Sequence, residues 1–154
     1  MSAQTTYNFA TASGVIGGIY DLSPKKIITL INGEANGTMK FGVPVAVNEN
    51  GQAVLATSDT AASIIGITVN NRTTEMDRDG ETEILKGAPI GVMTQGTVWV
   101  SGEAEAKNVG GVAYATFDAD SKAFKGVATT AGTDIGAKFV GASVDGIVPI
   151  SINR

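Results

Sequence analysis

The chain has 154 residues, 43% hydrophobic and 17% charged, with 20 Gly and 4 Pro; this suffices for one domain with a real core and favours β-structure over helix. Its net charge of −4, with the basic residues scattered, provides no electrostatic footprint for nucleic acid. Neither Cys nor His occurs, which excludes disulfides, thiolate chemistry and a Ser-His-Asp triad and removes the commonest general base and metal ligand.

The first nine residues lack the charged and apolar regions of a secretory signal, and no stretch reaches the length of a transmembrane helix. The chain is therefore expected to be soluble and unprocessed, with no membrane partner. Residues 1–40 differ from the remainder. Tyr7, Phe9, Ile16, Ile19 and Tyr20 stand isolated on a background of Gly, Ala, Ser and Thr. Asp21-Leu22-Ser23-Pro24 is a turn signal, Lys26 to Ile31 reads as a strand, and Asn32-Gly33 closes it. This region is expected to be an extended arm with one or two strands, suited either to docking on a partner or to joining the body's sheet.

The body, 41–154, reads as a succession of strands. Residues 41–47 and 52–57 flank Asn48-Glu49-Asn50-Gly51, a hairpin turn, and 64–69 form a third strand. Residues 70–82 are the most polar segment and should be an exposed loop. Residues 83–86 return to the sheet, and Gly87-Ala88-Pro89-Ile90-Gly91 interrupts it, since Pro donates nothing to a ladder.

Val92-Met93-Thr94-Gln95-Gly96-Thr97-Val98-Trp99-Val100 alternates with period 2 and bears bulky apolar groups on both faces, which marks a central strand. Trp99, the single Trp, is either a core residue on a Val-rich sheet or a subunit contact. After it, 110–116, a polar turn, 123–129, a loop at 130–136 and 139–144 repeat the pattern of 41–69, a weak internal duplication about the central strand. Residues 147–152 close the fold. The whole is expected to be all-β, a small β-barrel or β-sandwich.

Few residues suggest chemistry. Asp77, Asp79, Glu81 and Glu83 alternate and share a face if extended, but the EF-hand spacing is not met and Arg72 and Arg78 lie close by, so a solvated loop is expected. Asp118 to Lys122 reads as a turn in which Asp and Ser bond their own backbone. Gly14 to Gly18 lacks phosphate-loop spacing. The residues mark no catalytic, cofactor or metal site.

The order of these elements resembles the structural cement proteins that decorate bacteriophage heads. The resemblance is carried by Phe41-Gly42-Val43-Pro44-Val45-Ala46-Val47 with Gly51-Gln52-Ala53-Val54, then by Ile64-Ile65-Gly66-Ile67 and Gly96-Thr97-Val98-Trp99-Val100. It continues through Gly110-Gly111-Val112-Ala113-Tyr114, where the acidic residue usual after Gly is missing, and Phe139-Val140-Gly141-Ala142-Ser143-Val144. It covers residues 41 to 152.

The resemblance implies a non-enzymatic virion protein, made in the host cytoplasm, that binds the outer surface of the capsid without a cofactor. It further implies the major capsid protein as partner and a homo-oligomer, a trimer first and a dimer next. Tyr7, Phe9, Ile16, Ile19, Tyr20 and Trp99 are the candidate subunit and capsid contacts. The alternatives are a low-copy virion module of tail, baseplate or fibre, or a cation- or carbohydrate-binding β-module using the acidic loop.

Overall fold

β7, Pro89–Ser101, is the strand on which the sheet is built. The computed structural model describes residues 14–70, 75–76, 82–102 and 109–154. They form β1 (Lys26–Ile31), β2 (Pro44–Val47), β3 (Ala53–Leu55), a single 3₁₀ turn (Ala61–Ser63), β4 (Gly66–Val69), β5 (Glu75–Met76) and β6 (Thr82–Glu83). After β7 come β8 (Val112–Phe117), β9 (Phe124–Ala128), β10 (Thr133–Phe139) and β11 (Ile147–Asn153), with no α-helix among the described residues. β5 and β6 make a separate two-stranded ribbon.

All the pairings in the main sheet that involve these strands are antiparallel. β7 carries β1 on one edge; the other edge holds β4 along its first half and β11 along its second, so that Val92 faces both Ile28 and Thr68 while Gln95 faces both Lys26 and Asn153. The strand order β3-β2-β4-β7-β11-β10-β8-β9 curls into a half-barrel. Its two ends meet where Thr57 bridges Ala123 and the Lys122 ammonium lies 2.6 Å from Asp59.

β7 bends between the two halves. Lys26 pairs with Gln95 but Ile27 with Met93, leaving Thr94 as an extra residue, and such a bulge bends a strand and sharpens its twist. Past it the alternation reverses. Ile90 and Val92 face a smaller core with Met39, Val45 and Ile84, whereas Val98 and Val100 face the main core around Phe139, Ile150 and Ile152. Gly96 takes φ +134° just beyond the bulge, and a Cβ there would lie 2.8 Å from that of Lys25.

The internal duplication is visible in the hydrogen bonds. Both repeats have the order second-first-third strand, β3-β2-β4 and β9-β8-β10. In the first, Gly42 N–H donates to the Thr68 carbonyl and Thr68 N–H to that of Val43. In the second, Gly110 N–H donates to Phe139 and Phe139 N–H to Gly111. Pro44–Ile67 and Val45–Gly66 then correspond to Val112–Lys138 and Ala113–Ala137.

Some expected boundaries move. The third strand of the second repeat is Thr133–Phe139 rather than 139–144, so Gly66 corresponds to Ala137 and not to Gly141. The small and polar residues of 130–136 mask a strand whose alternate members Ile135, Ala137 and Phe139 are buried. Glu83 pairs in the β5–β6 ribbon and 84–86 lie outside any strand. Pro89 begins β7 instead of interrupting the sheet, since an antiparallel strand tolerates Pro as its first residue.

Gly66 lets β4 approach β7 closely: a Cβ at this position would lie 2.4 Å from the Met93 carbonyl oxygen. Gly66→Ala is expected to destabilise the fold by about 1–3 kcal/mol, because backbone must shift to admit the methyl group. Urea denaturation measures the change.

Candidate docking surface

Residues 14–20 run along the same edge of β7 as β1. Gly17 N–H donates to the Trp99 carbonyl at 2.8 Å, Trp99 N–H to Gly18 at 2.9 Å and Tyr20 N–H to Thr97 at 3.1 Å. Ile19 bridges Val98, and the Gly17 carbonyl accepts from Asn70 N–H at 2.7 Å. The segment is thus a strap tied to β7 and to the chain leaving β4.

Glycine makes the strap fit. Gly17 and Gly42 both have positive φ and pack on each other; a Cβ on Gly42 would stand 2.8 Å from Gly17 N and 2.4 Å from the Ile16 side chain. Gly14 lies on the indole of Trp99, where a Cβ would be 2.2 Å from Nε1. Because strand residues alternate, Trp99 points away from the core that holds Val98 and Val100. It is nonetheless only 4% exposed, with Tyr20 edge-on at a centroid distance of 5.4 Å.

A polar clip closes the strap. The Asp21 carboxylate accepts hydrogen bonds from the Ser23 hydroxyl, from Thr97 Oγ1 at 2.5 Å and from Ser23 N–H at 3.0 Å. The Ser23 hydroxyl, then that of Thr97, hold its carboxyl below the ordinary carboxylate range.

Ile16, Ile19, Tyr20 and Trp99, the described members of the candidate contact set, are brought together here. Ile16 and Ile19 are exposed and Tyr20 half-buried above the buried Trp99. Tyr7 and Phe9 lie outside the described residues, as does the acidic stretch 77–81. Six of the eight large apolar side chains exposed among the described residues fall between 15 and 31: Val15, Ile16, Ile19, Leu22, Ile27 and Ile31. Val15, itself one of the isolated apolar residues of the first 40, and Leu22, Ile27 and Ile31 are not among the contact candidates taken from the sequence. The available signal was Lys26–Ile31 itself, apolar on both faces although it forms an edge strand.

This surface offers apolar contact. A separate pocket of about 420 Å³ opens near the half-barrel seam, lined by Val43, Leu55 and Phe124 with Glu34 and Lys40. Among the described residues no group of three or more carboxylates is placed to hold a metal ion. The Asp118 turn behaves as expected: its carboxylate accepts from Ser121 N–H at 2.8 Å and Ser121 Oγ at 2.9 Å. Those bonds, the backbone one first, lower its pKa.

The chain matches the family model described as structural cement protein (E217 gp24/Pam3 gp6) over residues 3–153. It belongs to that family. The match also takes in nearly all of the first 40 residues, which carry none of the motifs recognised in the sequence. No curated protein matches the chain. The cement protein is thus a structural protein of the phage virion, associated with the capsid.

Trp99 reports on the strap. Gly14→Val is expected to lift residues 14–20 from the indole, giving red-shifted fluorescence that acrylamide quenches more readily. The Asp21 clip adds a pH dependence. A lowered carboxylate pKa contributes stability that is full above the unfolded value of about 3.9 and lost as pH falls through the folded one. Quenching of Trp99 is therefore expected to rise only below about pH 4, and less steeply in Asp21→Asn.

Proposed function

We propose that this cement protein binds the outer surface of the capsid, contacts the major capsid protein and ties neighbouring capsid subunits together. The role is structural rather than catalytic. The observation that carries this reading is the gathering of exposed apolar side chains along one edge, residues 15–31, of a body whose other apolar residues are largely enclosed. Apolar patches of this kind mark protein interaction sites. The chain's net charge of −4 favours a protein partner over nucleic acid.

In this reading residues 1–40 act as an arm and 41–154 as the body that presents it. Ile16 and Ile19 meet the partner, joined by Tyr7 and Phe9, while Tyr20 and Trp99 seat the strap. Affinity comes from strand addition or arm exchange by residues 1–40 onto a neighbour, and specificity from the arm's aromatics. The protein acts as a homo-oligomer; the family resemblance favours a trimer, with a dimer second.

The copy number of this chain in purified virions, relative to the major capsid protein, tests the lattice role. Equal copies or a simple fraction are expected, and a few copies per particle would reassign the protein to the tail or a vertex. Ile19→Asp is expected to weaken binding to stripped capsids by about tenfold or more, since an uncompensated charge must be desolvated. Deleting residues 2–20 and finding undiminished capsid binding would reject the arm.

A further inference from the structure

The sequence holds three Asn-Gly pairs, Asn32-Gly33, Asn36-Gly37 and Asn50-Gly51. Such a pair is chemically labile, because glycine has no side chain to shield its nitrogen from the preceding carboxamide. All three glycine N–H groups are hydrogen-bonded: Gly33 to the Ala53 carbonyl at 2.9 Å, Gly37 to Ile84 at 3.1 Å and Gly51 to Asn48 at 3.0 Å. The backbone therefore does not separate the three pairs. The side chains do. Asn32 is fully buried; its Nδ2 donates to the Leu85 carbonyl at 3.0 Å and its Oδ1 accepts from Glu34 N–H at 3.0 Å. Asn36 Oδ1 accepts from Lys86 N–H at 2.8 Å. Asn50 is exposed at the tip of the β2–β3 hairpin and takes part only through its own N–H, donated to Asn48 Oδ1 at 2.9 Å. Among the described residues nothing holds its carboxamide.

The space around the glycines differs in the same sense. A Cβ on Gly33 would meet Gln52 Cβ at 3.1 Å, and one on Gly37 the Glu83 carboxylate at 3.1 Å, whereas one on Gly51 would meet nothing within 4 Å. We infer that Asn50 is a self-modification site, at which the folded chain converts spontaneously to aspartate and isoaspartate while Asn32 and Asn36 are preserved. The Gly51 nitrogen gives its proton to a solvent base and bonds to Asn50 Cγ. The bond from Cγ to the side-chain nitrogen breaks, and that nitrogen takes a proton from water and leaves as ammonia. Water then adds to either carbonyl of the resulting succinimide and opens the ring. One water is consumed and one ammonia released, with no change of oxidation state and no cofactor.

Ring closure requires the Asn50 side chain to swing over the Gly51 nitrogen and the Gly51 N–H to leave the Asn48 carbonyl. At an exposed tip water replaces that bond at small cost. Either product adds a negative charge beside Glu49. The isoaspartyl product also inserts a methylene into the main chain of the turn. Asn48 Oδ1, which accepts from Asn50 N–H and Gln52 N–H at 2.9 Å each, then no longer fits the loop it ties. That turn sets the register of Val47 on Ala53, and Ala53 in turn receives Gly33 N–H. The modification therefore loosens the β3 edge from its tip.

Trypsin digestion of the full chain, aged at mildly alkaline pH, separates the pairs for mass spectrometry: residues 27–40 carry Asn32 and Asn36, and residues 41–72 carry Asn50. In the folded protein the mass gain from amide to acid is expected in 41–72 about tenfold faster than in 27–40, the factor that a side-chain hydrogen bond supplies. Chromatography resolves the aspartyl and isoaspartyl forms. Asn50→Gln, whose longer side chain closes the ring far more slowly, is expected to abolish the gain. In urea both peptides are expected to convert at similar rates, since the fold no longer holds Asn32 and Asn36. Three outcomes overturn the inference: conversion of 27–40 in the folded chain at the pace of 41–72, conversion of 41–72 that survives Asn50→Gln, or a folded chain that stays unchanged while the unfolded one converts.

Discussion

A single strand must serve two differently oriented half-sheets, and the architecture depends on how β7 does so. Its first half is held between β1 and β4, its second between the strap and β11. A regular strand would keep Val92 and Val98 on one face. The extra residue at Thr94 and the left-handed Gly96 reverse the alternation, so Val92 enters the smaller core and Val98 the larger. The half-barrel curls on that irregularity, and the two repeats are carried to opposite ends of the strand order.

The same reversal places Trp99. On the outer side of the sheet its ring would meet water, and a large aromatic left there is costly to solvate. The glycine-rich strap resolves this by covering the indole with main chain and with Tyr20, while Gly17 and Gly42 permit the close approach. The strap's own branched residues, Val15, Ile16 and Ile19, are turned outward as a consequence. Burial of one aromatic and exposure of an apolar edge are therefore two results of one packing arrangement.

The repeats show how similar pairing survives different sequence. Thr68 and Phe139 occupy matching places in the two ladders and share only their backbone bonds. The Thr68 hydroxyl adds a 2.7 Å bond to the Lys40 carbonyl, whereas Phe139 fills the main core. A left-handed glycine precedes the first strand of each repeat, Gly42 and Gly110, where the chain turns into the ladder.

Composition and period-2 alternation by themselves determined the all-β class, the central strand, the hairpin at 48–51 and the turn at 118–122, because strand patterning and turn chemistry are local. The succession of short strand motifs also carried the family. Tertiary structure decided the rest. Residues 133–139 are a strand because β8 and β11 offer partners on both sides, although the residues alone look like a loop. Pro89 could enter β7 because it falls at the strand's first position. Whether Trp99 faced core or partner could not be read from its neighbours, since a bulge resets which face each residue occupies. Which apolar residues remain exposed was undetermined for the same reason: alternation defines two faces, and only the packed fold decides which of them is covered.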